Sequence, residues 1–171
     1  MTITINPFDL RSIDKGIEAI EKYIEKMEKL ETELPKALAE YGVVQAQAKF
    51  DTAAYNIMVD GSGSHPSITC YPLESENGWM VVADGKEVCF VEFGAGIYFN
   101  GEEAYLGTRP KDIVGIGEYD KGHGKKPFWG IPKAAGGGLT HGTPASNALY
   151  FTVRDMADRI VEEAKRILND D

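Results

Sequence analysis

Apolar residues recur at steps of three and four along the first part of the chain: Ile13, Ile17, Ile20, Ile24, Met27, Leu30, Leu34, Leu38 and Tyr41. This spacing predicts a helix with one apolar stripe, close to a heptad seam. Ser12 is placed to cap its start. Glu18/Lys22 and Glu25/Lys29 stand four apart with the acid first, the better order for ion pairs along a helix. Pro35 lacks a backbone N–H and is expected to kink or break the helix near Leu34. Nearly thirty residues make roughly 40 Å of helix, long for one small domain. Its stripe can pack inside its own domain, and a neighbouring subunit is a second candidate.

The pattern then changes period. Tyr55 to Val59, Ser67 to Tyr71 and Trp79 to Ala83 are short runs rich in β-branched or aromatic residues. GSGSHP (61–66) and ESENG (74–78) separate them as turn signals, which suggests an antiparallel meander. Lys86 to Phe93 reads either way. If it is a short helix, Asp84 can cap it, and Val88, Phe90 and Val91 face the core.

Residues 94–142 hold most of the 19 glycines and show no sustained period. Long loops are uncommon in compact domains and usually functional or disordered. This one carries Tyr98, Phe99, Tyr105, Tyr119, Phe128 and Trp129, and disordered linkers are poor in aromatics. It is therefore expected to fold against something. Helical spacing returns at Leu149, Val153, Met156, Ile160, Ala164 and Ile167, with Thr143 as the expected N-cap and Pro144 at the first helical position.

These periods predict an α+β fold. A long N-terminal helix and a C-terminal helix pack on a small antiparallel β-sheet, with a long glycine- and aromatic-rich loop. The chain, 1–171, reads as one domain: 13–50 helical, 55–93 the sheet region, 94–142 an extended loop, 143–169 the terminal helix. Its 171 residues, 43% of them hydrophobic, are enough for a real core.

Charge and motifs narrow the chemistry. With 27 acidic against 18 basic residues the net charge is −9, which speaks against strong non-specific DNA binding. No apolar run approaches the length of a membrane span. MTITINPFDL lacks the basic and apolar regions of a secretory signal. Cys70 and Cys89 fit no zinc or redox spacing and read as a pair of small buried thiols. VEFGAGIYFNG (91–101) has Gly94 and Gly96, but Phe99 stands where a dinucleotide-binding turn needs its third glycine. The two Gly-Lys pairs lack the following hydroxyl of a phosphate loop. Gly94 and Gly96 are instead expected to make a sharp turn. His123, His141 and Asp120 could hold a metal, although the regular spacings are absent. No nucleophile motif is present. The expectation is a non-enzymatic protein without a cofactor. A small metal-dependent hydrolase and a non-viral interaction domain are the alternatives.

Several segments in order resemble the siphophage head–tail joining family, also described as minor tail components or tail-completion proteins. They are AQAKFDTAAYN (46–56), KEVCFVEFGAG (86–96), YDKGHGKKPFWG (119–130) and THGTPASNALYFTVRDMADRIVEEAKRIL (140–168). The EFGAG turn and the HGTPA entry to the last helix are the most specific pieces. Thr52-Ala53 stands where many relatives carry Thr-Gly, and Ala95 where many carry threonine. The family supplies no catalytic residues. The resemblance implies a virion protein of the neck or tail, made in the host cytoplasm and assembled as a homo-oligomeric ring, with six copies as the expected number. Its partners would be itself and neighbouring neck, connector and tail proteins. Genome DNA would at most pass through the ring. Candidate docking residues are Tyr98, Phe99, Tyr119, Lys125, Lys126, Phe128 and Trp129. Gly94, Gly96, Thr143 and Pro144 form the structural turn.

Overall fold

The computed structural model describes residues 4, 6–96, 98 and 128–169. The fold is α+β. Helix α1 runs Leu10–Asp51, followed by strands β1 (Ile57–Met58), β2 (Thr69–Ser75) and β3 (Gly78–Asp84). Helix α2 (Val88–Phe93) leads to β4 (Trp129–Gly130), a 3₁₀ turn (Lys133–Ala135), β5 (Leu139–Gly142) and helix α3 (Ala148–Asn169).

Helix α1 is longer than its stripe predicts, and Pro35 does not end it. Forty-two residues make about 63 Å of helix. Pro35 is exposed, so water can reach the carbonyl that its missing N–H leaves free, while Leu34, Leu38 and Ala39 hold the following turns in place. The start also shifts. The Asp9 side chain accepts from the Arg11 N–H and is the cap, whereas Ser12 lies inside the helix and its hydroxyl accepts from the Asn6 N–H. The Glu18–Lys22 pair forms at 2.7 Å.

The C-terminal half of α1 is the spine of the core. Ala46 and Phe50 are fully buried with Ala53, Ile68, Cys70, Val91 and Ala148. α3 runs antiparallel along α1. Lys49 pairs with Asp155 at one end, and the Lys26 ammonium donates to the Leu168 carbonyl at the other. Gly42 is where three elements meet. A Cβ there would lie 2.5 Å from Met156 Sδ on α3 and 2.7 Å from Val81 Cγ2 on β3, so only glycine lets both approach.

The strands make two small antiparallel sheets rather than one meander. β2 and β3 form a hairpin in register from Thr69↔Asp84 to Ser75↔Gly78. Its Cys70, Val81 and Ala83 face α1 and the core. Gln47 on α1 fixes the hairpin edge: its Oε1 accepts from the Cys70 N–H and its Nε2 donates to the Ile68 carbonyl. β1 leaves this hairpin and joins the second sheet, in the order β1-β5-β4. The stretch 94–142 is therefore not a loop throughout, because its end is a hairpin between Trp129 and Gly142. Strands of two and four residues are too short to show a period in the sequence. Asp84 ends β3 and caps nothing; α2 begins after Glu87.

Cys70 is buried, and desolvation, followed by the nearby Asp51 charge, pushes its thiol pKa up. Cys89 is exposed on α2, so the two cysteines are not a buried pair. Among the described residues, no helix is long and apolar enough to cross a membrane.

Candidate functional site

The glycine turn and the start of the last helix, distant in sequence, meet in one corner. Ala95 and Thr143 form an isolated antiparallel bridge through two hydrogen bonds, 2.8 and 2.9 Å. Gly94 (φ 80°) and Gly96 (φ 92°) flank it with backbone that favours glycine. A Cβ on Gly94 would lie 3.0 Å from the Ala145 nitrogen. One on Gly96 would lie 2.6 Å from the Trp129 ring and 2.7 Å from the His141 carbonyl. Gly142 (φ 104°) closes the corner from the other side, where its Cβ would collide with the Ala95 carbonyl oxygen.

Thr143 and Pro144 belong to this corner and not to the helix. Thr143 is buried, and its hydroxyl accepts from the Asn56 N–H at 3.1 Å. Pro144 is buried beside it, and α3 starts at Ala148. The expected N-cap is thus replaced by a more distant group. The Glu92 carboxylate, 2% exposed, accepts from the Leu149 N–H at 2.9 Å and from the Tyr150 N–H at 3.2 Å. A negative charge at the first turn also complements the helix dipole. Glu92 is the acid of the EFGAG turn. Sequence spacing does not single it out, because its partners lie 57 and 58 residues away. Thr140 escapes sequence reasoning for the same reason. Fully buried in β5, it donates to the Ile57 carbonyl and accepts from the Gly142 N–H, satisfying both groups where the β1–β5 register shifts.

An open cleft of about 510 Å³ lies against the corner, lined by Tyr55, Asn56, Phe90, Trp129, Ile131 and Pro132 among others. Desolvation, followed by the Glu87 charge, holds the Tyr55 phenol above its ordinary pKa. The lining mixes aromatic and apolar side chains with the polar Asn56, Ser64 and Thr143.

Of the predicted docking residues, Tyr98, Phe128 and Trp129 are described, and Phe99, Tyr119, Lys125 and Lys126 lie outside the described residues. Trp129 is 39% exposed: one side of the indole covers Gly96 and Gly142, and the rest is open. Tyr98 stacks on His141 with ring centroids 3.9 Å apart. The described residues of the glycine-rich stretch thus set two aromatic side chains at the corner, Tyr98 and Trp129. Among the described residues, no group of three or more His, Cys, Asp or Glu side chains is placed to hold a metal. His123 and Asp120 of the hydrolase alternative lie outside the described residues.

Neither a family model, nor a curated protein, nor a solved structure matches the chain.

Proposed function

We propose that this chain is a structural component of a phage neck or tail, acting in head–tail joining or tail completion as a ring of identical copies. The observation that supports this reading is the corner itself. The two most specific pieces of the resemblance, EFGAG and HGTPA, are distant in sequence, yet they form one bridged unit with the half-exposed Trp129 against it. In this reading the glycines are structural, and the aromatic face beside them meets the next protein of the neck.

The experiment is deletion of the gene from the genome that encodes it, followed by electron microscopy of the lysate. Filled heads and separate tails should accumulate, and the protein should be present in intact wild-type particles. Joined, infectious particles formed without it overturn the reading.

Complementation with Trp129→Ala tests the docking face. Losing the ring from Gly96 and Gly142 should lower the melting temperature by several degrees, because a partly buried aromatic contributes about 2 kcal/mol to its own domain. At a temperature where the variant is still folded, head–tail joining should fall at least tenfold. Unimpaired joining by this folded variant removes Trp129 from the interface.

A further inference from the structure

The outer face of the β2–β3 hairpin breaks the usual pattern of a sheet that lies on a core with one side. Such a face is normally polar. Here the cross-strand pairs Tyr71↔Val82 and Leu73↔Met80 are apolar, and Tyr71, Leu73 and Met80 are 40%, 43% and 45% exposed. The inner face of the same hairpin already lies on α1, so both faces are apolar, as in a sheet covered on both sides.

A second uncovered surface lies elsewhere on the chain. α3 reaches α1 only as far as Lys26, and the preceding part of α1, Leu10–Glu25, projects past it. From Ile17 onward its stripe is open to solvent, with Ile17, Ile20 and Ile24 each about half exposed, whereas Ile13 is half-buried and Gly16 buried.

The two surfaces match in kind and in length. Sixteen helical residues span about 24 Å. Strands of seven residues span about 23 Å. The fold already uses this packing once, with the C-terminal half of α1 on the inner face of the hairpin. We propose that the projecting part of α1 in one copy lies across the outer face of the β2–β3 hairpin in the next copy, with Ile17, Ile20 and Ile24 against Tyr71, Leu73, Met80 and Val82. This rests on the ring reading above and supplies its subunit contact. Two different patches of the same chain meet, so the contact is head-to-tail, the kind that builds a ring when the rotation between copies closes and a filament when it does not.

Charge disfavours one rival arrangement. In heptad register the projecting stripe has Asp14 and Glu21 along one flank. Antiparallel pairing of two projecting helices would set these acids against each other. The hairpin's outer face instead offers uncharged side chains at its centre.

The area sets the strength. A contact about 24 Å long and one helix wide removes on the order of 500 Å² from each copy, below the roughly 800 Å² per partner of a stable pair. A single contact is therefore weak. Each subunit of a closed ring makes two, so the free chain is monomeric when dilute and assembles where copies are concentrated.

Disulfide trapping on the purified chain, in a Cys89→Ser background, tests the contact. Ile20→Cys and Met80→Cys are made in separate chains, each exposed, and melting temperatures confirm that both fold. At high protein concentration under a mild oxidant, the mixture should give a cross-linked dimer containing one chain of each kind. Each variant alone should give at least tenfold less. Adding Leu73→Asp to the Met80→Cys chain should abolish the cross-link. Dimers of Ile20→Cys alone show helix–helix pairing, dimers of Met80→Cys alone show hairpin–hairpin pairing, and either result overturns the proposal, as does a mixture that does not cross-link at the highest soluble concentration. The assay uses no phage. A positive cross-link with normal head–tail joining in the deletion strain would sink the neck role and leave this contact standing.

Discussion

Gly142→Ala should lower the stability of the fold by about 4 kcal/mol and its melting temperature by about 8–16 °C. Two causes add. The backbone at Gly142 sits at φ 104°, where a side chain is strained by about 1–3 kcal/mol. The new methyl group would also collide with the Ala95 carbonyl oxygen and come within 2.7 Å of the Trp129 ring. That carbonyl accepts the Thr143 N–H, so moving it aside breaks the Ala95–Thr143 bridge, at about 1 kcal/mol for each buried hydrogen bond lost. Gly130→Ala is the control. A Cβ at Gly130 would have nothing within 4 Å, and the backbone there is not in the left-handed region. That variant should stay within about 0.5 kcal/mol of the parent. Equal melting temperatures for the two variants would show that the corner yields without loss.

Glu92→Ala should cost about 3 kcal/mol. The carboxylate is buried and takes two amide N–H groups from the first turn of α3. Hydrogen bonds to a charged group are worth about 1.5–3 kcal/mol, and a lost cap typically costs about 1 kcal/mol. Alanine leaves the Leu149 and Tyr150 amides facing a cavity that water fills poorly. Glu92→Gln keeps the shape but offers one oxygen where two are used, so it should fall between the parent and Glu92→Ala. The check is thermal unfolding together with amide exchange at Leu149 and Tyr150, which should accelerate first. An alanine variant melting within a degree of the parent would refute the capping role.

Local signals are legible in the sequence and long-range ones are not. The three-and-four spacing from Ile13 to Tyr41 reports one face of one helix, and that helix exists. So does the terminal helix predicted from Leu149 to Ile167. The breaks differ where tertiary contacts override a local rule. Pro35 would end an isolated helix, but packing on both sides carries α1 through it. Thr143-Pro144 has the composition of a helix start, yet its hydroxyl and backbone are used by Asn56 and Ala95, and α3 is capped from Glu92 instead. Of the candidate site, the glycines at 94 and 96 are readable because few residues tolerate positive φ. The union of Gly96, Trp129 and Gly142 is not, since it depends on strands too short to leave a periodic trace.

The Ala95–Thr143 bridge, with Trp129 lying on Gly96, brings the two ends of the intervening segment into contact within the folded domain. The corner is thus a clasp between two parts of the chain that are far apart in sequence: Gly94, Gly96 and Gly142 let the backbones approach, and the Ala95–Thr143 hydrogen bonds fasten them.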